Sequence, residues 1–214
     1  MAEERQIKIP SDSVKLDGIL TVTKDARGLV IFAHGSGSSR WSPRNRFVAR
    51  VLQEAGIATL LFDLLTADED EVYENRFDIA LLTGRLKAAT LWIKEQPDTE
   101  NLKIGYFGAS TGTAVALVAA ADFGKGIRAI VSRGGRPDLA GDALEKVLAP
   151  TLLIVGGDDR VVIGLNEKAY DQMNAEKGME IIPGATHLFE ESGTLEEAAR
   201  LAAEWFKKHL LVGD

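Results

Sequence analysis

GYFGASTG, residues 105–112, lies between an apolar run from Leu102 to Phe107 and an alanine-rich one from Ala114 to Ala121, and how that junction is read decides the fold. A short unbroken apolar run suits a strand buried on both faces, and the alanines suit a helix. A chain that passes from one to the other across glycines makes a sharp turn, because glycine tolerates the backbone angles such a reversal demands. Serine is a common helix N-cap, so Ser110 need be nothing more than a cap. The same turn also projects its hydroxyl at the carboxyl end of the strand, while Gly108 and Gly112 leave room for a strained backbone and close packing. The free N–H groups of the following helix would face the same point and stabilise an oxyanion. On that reading Ser110 is a nucleophile.

Working outward, short strand-like segments fall at roughly 5–9, 14–22, 28–33, 57–62, 102–107, 127–131, 151–155 and 179–182. PSDS separates the first two and suits an antiparallel pair. From the third onward the runs are compact and apolar, as in GLVIFAH, IATLLFD and TLLIVGG, which is the pattern of a parallel sheet covered on both faces. Helical patterns alternate with them. Ser42 followed by Pro43 starts one whose apolar face is Phe47, Val48, Val51 and Leu52, and Gly56 ends it. Thr66 and Glu69 have capping-box spacing ahead of a longer segment in which Ile79, Leu82, Leu86, Ala89 and Ile93 recur at helical intervals. Thr194 and Glu197 repeat that spacing ahead of Leu195, Ala198, Leu201, Trp205 and Phe206. Alternating strands and helices predict an α/β fold with helices on both faces of a mostly parallel sheet, whose ligands bind at the carboxyl ends of the strands.

Composition narrows the function classes. A chain of 214 residues, 45% hydrophobic and 27% charged, fits one globular domain over 1–214. No apolar run approaches the 18 or so residues of a membrane span, and the opening MAEERQ is acidic where a secretory signal is basic and then apolar, so a cytoplasmic location is expected. The absence of cysteine excludes disulfides, thiolate metal sites and a cysteine nucleophile. A formal net charge of −7 argues against nucleic acid or anionic membrane as partner. DEDE, residues 68–71, reads as a solvated helix start favoured by the helix dipole, not as a metal site.

A serine hydroxyl attacks poorly until a base takes its proton, and the base needs a carboxylate to hold it. Of three histidines, His209 sits in the last turn of the final helix, where a partly cationic ring suits the dipole, and His34 follows the third strand ahead of the serine. His187, in PGATHLFEE after the last strand, is at the correct edge of the sheet. In LLIVGGDDRVV, Asp158 and Asp159 both follow the seventh strand, and only one can face a single imidazole.

Taken together, FAHGSGSSR, GYFGASTG, VSRGGRP, IVGGDDRVV and PGATHLFEE resemble an α/β-hydrolase of the dienelactone hydrolase family over nearly the whole chain. The resemblance implies the α/β-hydrolase fold, with about eight strands and the chain order serine, acid, histidine. It implies that the acid is the aspartate of a G-x-x-D-x-x-V pattern, which Gly156, Asp159 and Val162 fit and Asp158 misses by one place. It further implies an oxyanion hole made by the backbone N–H groups of Ser36, in HGSG, and Thr111, so that Ser36→Ala should be tolerated. The family's namesake uses cysteine. Ser110 in its place favours general carboxylic esters over dienelactone itself.

Only 19 residues, 132–150, separate the sixth and seventh strands, too few for a lid domain. The site should therefore be open. Arg40, Arg44, Arg133 and Arg136 follow strands at the active-site edge and are candidates to grip a substrate carboxylate, the alternative being that they pair with the protein's own acids. The resulting expectation is a serine hydrolase of small-molecule carboxylic esters or lactones that uses Ser110, His187 and Asp159 with no cofactor and no metal. Acyl transfer, thioester or peptide cleavage by the same triad, or ligand binding without catalysis, are the alternatives.

Overall fold

In the computed structural model, which describes residues 3–212, eight strands form one sheet in the order β1-β2-β4-β3-β5-β6-β7-β8. They are β1 (Glu3–Ser11), β2 (Val14–Val22), β3 (Gly28–Ala33), β4 (Ala58–Phe62), β5 (Lys103–Ala109), β6 (Ile127–Arg133), β7 (Thr151–Gly156) and β8 (Lys177–Ile182). Each of the eight expected segments is a strand. β1 pairs with β2 in one antiparallel register from Glu3 opposite Val22 to Ser11 opposite Val14, and β2 is antiparallel to β4 as well. Every other pairing is parallel.

The compact apolar runs are buried for the reason their composition implies. β3, β4 and β7 have no exposed residue. On one face Leu29, Ile31, Leu60 and Tyr106 meet the helices α3 (Ile79–Glu95), α4 (Gly112–Phe123) and α5 (Arg160–Gln172). On the other, Val30, Phe32, Phe107 and Val131 meet α1 (Pro43–Glu54) and α6 (Thr194–Phe206). Side chains alternate across a strand, so consecutive residues feed opposite cores. This is the α/β-hydrolase fold.

Helix starts were partly as expected. Ser42 caps α1, its Oγ accepting the Asn45 N–H, with Pro43 in the first turn. Thr66 and Glu69 form both arms of a capping box. That box, however, opens only the four-residue α2 (Ala67–Asp70). A 3₁₀ stretch, Tyr73–Phe77, intervenes, and Asp78 caps α3 separately by accepting the Leu81 N–H. The expected box at Thr194 does not form. Gly193, in the left-handed region at φ 82°, is the cap, and Thr194 Oγ1 donates backwards to the Glu191 carbonyl. Between β6 and β7 the chain makes a 3₁₀ path, Pro137–Lys146, kinked at Gly141, and no lid domain. No helix among the described residues is long and apolar enough to cross a membrane.

Candidate active site

Three strand ends deliver the three side chains. β5 ends at Ala109, and Ser110 follows it at φ 51°, a left-handed conformation that costs a non-glycine residue energy. Neighbouring backbone holds it there. The Ser110 N–H donates to the Arg133 carbonyl at 3.3 Å, and the Ser110 carbonyl accepts the Arg136 and Thr113 N–H groups at 3.0 and 3.1 Å. Gly112 lets α4 press against the end of β3, since a Cβ there would collide with the Ala33 carbonyl oxygen. The sharp turn is thus a strained seat fixed from three sides.

Asp159 stands at the start of α5 but makes no side-chain cap hydrogen bond. Its Oδ2 instead lies 2.7 Å from Nδ1 of His187, in the loop after β8, and Nε2 of His187 lies 3.3 Å from Ser110 Oγ. A carboxylate only accepts, so Nδ1 carries the proton and Nε2 presents its lone pair to the hydroxyl. Asp158 is exposed, and its N–H ties the loop to the Ala185 carbonyl. Thr186 anchors the histidine loop from the other side, donating through its amide and hydroxyl to Glu191 at 3.0 and 2.7 Å. These bonds to the charged form hold the Glu191 carboxyl below its ordinary range.

Ser110 and His187 open into a cavity of about 250 Å³, also lined by Gly35, Ser36, Ser38, Ser42, Arg44, Asn45, Arg133 and Leu188. The Ser36 amide donates to Thr111 Oγ1 at 3.0 Å, so the two residues expected to form an oxyanion hole are in direct contact. His34 does not face the serine. Its Nε2 accepts the Leu64 N–H at 3.1 Å, which leaves Nδ1 to donate to the Gly35 carbonyl at 2.9 Å, and burial lowers its pKa. It fixes the loop that carries Ser36. His209 is half-buried with its ring tilted against that of Trp205, and burial lowers its pKa too, against the expectation of a partly cationic ring.

The four arginines separate. Arg40 binds Asp63 and lines a neighbouring cavity of about 270 Å³ with His34. Arg136 makes a bidentate pair with Asp138, 2.8 Å on each arm. Neither lines the cavity at Ser110. Arg44 does, with a bond of 3.1 Å to the exposed Glu190. Arg133 does also. Asn45, which donates nothing to the sequence pattern beyond a place in the first turn of α1, accepts from Arg133 Nη2 at 3.3 Å, and no local signal marks that contact. Among the described residues no cluster could hold a metal ion.

The family model for the dienelactone hydrolase family matches residues 18–210. The crystal structure of a dienelactone hydrolase from Anabaena variabilis is 56% identical, covers 98% of this chain and 99% of its own, and superposes with a TM-score of 0.95. Est1E from Butyrivibrio proteoclasticus, 20% identical with a TM-score of 0.80 over 95% of this chain and 98% of its own, shares the fold. A Mycobacterium tuberculosis protein named "Putative phosphoribosyl transferase" is 57% identical over 207 residues, 97% of this chain and 47% of that protein. The chain therefore spans about half the length of the curated relatives it matches.

Proposed function

Since the chain belongs to the dienelactone hydrolase family, we propose that it is a serine hydrolase of small-molecule carboxylic esters, working through an acyl-enzyme. The observation that carries the reading is the continuous contact Asp159 Oδ2, His187, Ser110 Oγ, at 2.7 and 3.3 Å. His187 Nε2 takes the hydroxyl proton as Ser110 Oγ attacks the carbonyl carbon. Asp159 holds the tautomer and offsets the charge of the imidazolium that forms. The tetrahedral oxyanion faces the Thr111 amide at the start of α4, where N–H groups have no acceptor within the helix, and the Ser36 amide. The Thr111 hydroxyl now occupying the Ser36 N–H then shares that donor with the oxyanion. His187 returns the proton to the leaving alcohol, and water repeats the sequence on the acyl-enzyme. None of these steps draws on a cofactor, and the expected location is cytoplasmic.

The phosphoribosyl transferase name gives no second reading for this chain. It belongs to a protein about twice as long, and the aligned half corresponds to the one that holds a serine, histidine and aspartate in contact here.

The test is a series of p-nitrophenyl esters of increasing acyl length, together with a serine-directed fluorophosphonate. Wild-type protein should hydrolyse short acyl esters and gain one adduct by intact mass. Ser110→Ala should lose the adduct and at least about 10³-fold in kcat/KM. Equal labelling of both proteins, or no turnover of any ester, would remove the proposal.

A further inference from the structure

Arg133 ends β6 and is only 7% exposed. Its Nη2 donates to Asn45, and the ring of Phe189 lies 5.9 Å from the guanidinium carbon. Nε and Nη1 are buried without any hydrogen-bond partner, and no carboxylate among the described residues pairs with it. An unpaired buried cation is unfavourable unless something offsets it. Here the neighbourhood does the opposite. Burial and then the like charge of Arg44 pull Arg133 down to about 10.

The same cavity wall contains the first turn of α1, a twelve-residue helix with Ser42, Arg44 and Asn45 at its start and no acidic side chain in that turn. Helix N-termini attract anions through free N–H groups and the dipole; here Pro43 has no N–H and that of Asn45 is taken by Ser42 Oγ, so the turn offers the Arg44 N–H and the positive end of the dipole. Arg44 is held only by Glu190, whose side chain is 63% exposed, so it is free to swing inward. The Arg133 guanidinium at the tip of β6, the Arg44 N–H at the start of α1 and the Arg44 side chain therefore border one volume. Converging directions suit the tetrahedral oxygens of phosphate, whereas a planar carboxylate is satisfied by a single fork. We propose that this wall is a phosphate subsite, with Arg133 as its principal ligand, and that the natural ester carries a phosphate group beside the bond presented to Ser110. The substrate class rests on the hydrolase reading; the binding of phosphate does not.

The direct test titrates inorganic phosphate, and acetate in parallel, into the full chain carrying Ser110→Ala, by calorimetry. One phosphate should bind, acetate should bind at least fivefold more weakly, and Arg133→Met on that background should weaken phosphate at least tenfold. Arg133→Lys keeps the charge and loses the fork, so an intermediate loss is expected. Arg44→Gln, which removes a side chain bonded only to the exposed Glu190, should weaken phosphate about threefold or more even if the Arg133 variants fail to fold. Phosphate should also raise the Tm of wild-type protein and leave that of Arg133→Met unchanged. Phosphate affinity indifferent to both arginines, or acetate binding more tightly than phosphate, would overturn the proposal. The two readings fail separately. Ester turnover with phosphate binding independent of Arg133 leaves the hydrolase and removes the subsite. Arg133-dependent binding without turnover of any ester leaves the subsite and removes the hydrolase.

Discussion

Asp159 shows how a carboxylate at the head of a helix can be turned away from the cap. At the head of α5 a carboxylate ordinarily caps the first turn, yet this one faces His187. Asp159→Asn offers an amide in place of a pure acceptor and disturbs the tautomer, so kcat should fall by about 10³ to 10⁴ with the fold intact. Asp158→Asn, at an exposed position one residue earlier, should change kcat/KM by less than about threefold. Stopped assays on one p-nitrophenyl ester separate the two. His34 and His209 carry a second prediction. Burial lowers both pKa values in the folded protein, so the unfolded chain binds protons first as the pH drops. Their contribution to stability is complete above about pH 6.5 and is lost as the pH falls from there through the lowered folded values. Urea denaturation at pH 7.5, 6.5 and 5.5 should show that decline, and His209→Gln should make it shallower.

The elements were legible where the local pattern and the packing agree. β3 and β7 are unbroken apolar runs because both faces are covered, and the sequence carries that signal without ambiguity. Ser42-Pro43 is equally plain, since a cap and a fixed φ act within four residues. The capping spacings were less informative. At Thr66 the box forms, but the sequence does not show that the chain leaves the helix at Glu71 and starts again at Asp78. At Thr194 the left-handed Gly193 takes the cap, and Glu197 turns outward to pair with Arg200. The junction between β5 and α4 gives a stability prediction. Gly112→Ala drives a methyl into the carbonyl ends of Ala33 and His34, so α4 must shift, at a cost of about 3 kcal/mol or more in denaturant unfolding and with loss of the serine geometry.

At the scale of the molecule, the meeting of Ser110, His187 and one aspartate was readable because strand order brings the ends of β5, β7 and β8 to one rim, whereas the choice of Asp159 over Asp158 came from the family pattern and not from strand order. The partners of the arginines were not. Arg40 meets Asp63, Arg44 meets Glu190 and Arg133 meets Asn45 across 23, 146 and 88 positions of chain, distances over which sequence spacing holds no information. The strand order also divides the site unequally. Ser110 leaves β5, in the middle of the sheet between β3 and β6, whereas His187 leaves the border strand β8, where Glu180 and Ile181 face solvent. Amide protons of β3 and β5 should exchange with deuterium only on global opening, and those of β8 should exchange sooner through local fraying. On gentle heating, then, the ester turnover proposed for this site should fade while ellipticity still holds: the His187 imidazole departs with its fraying margin, and the Ser110 hydroxyl stays moored until the whole sheet melts.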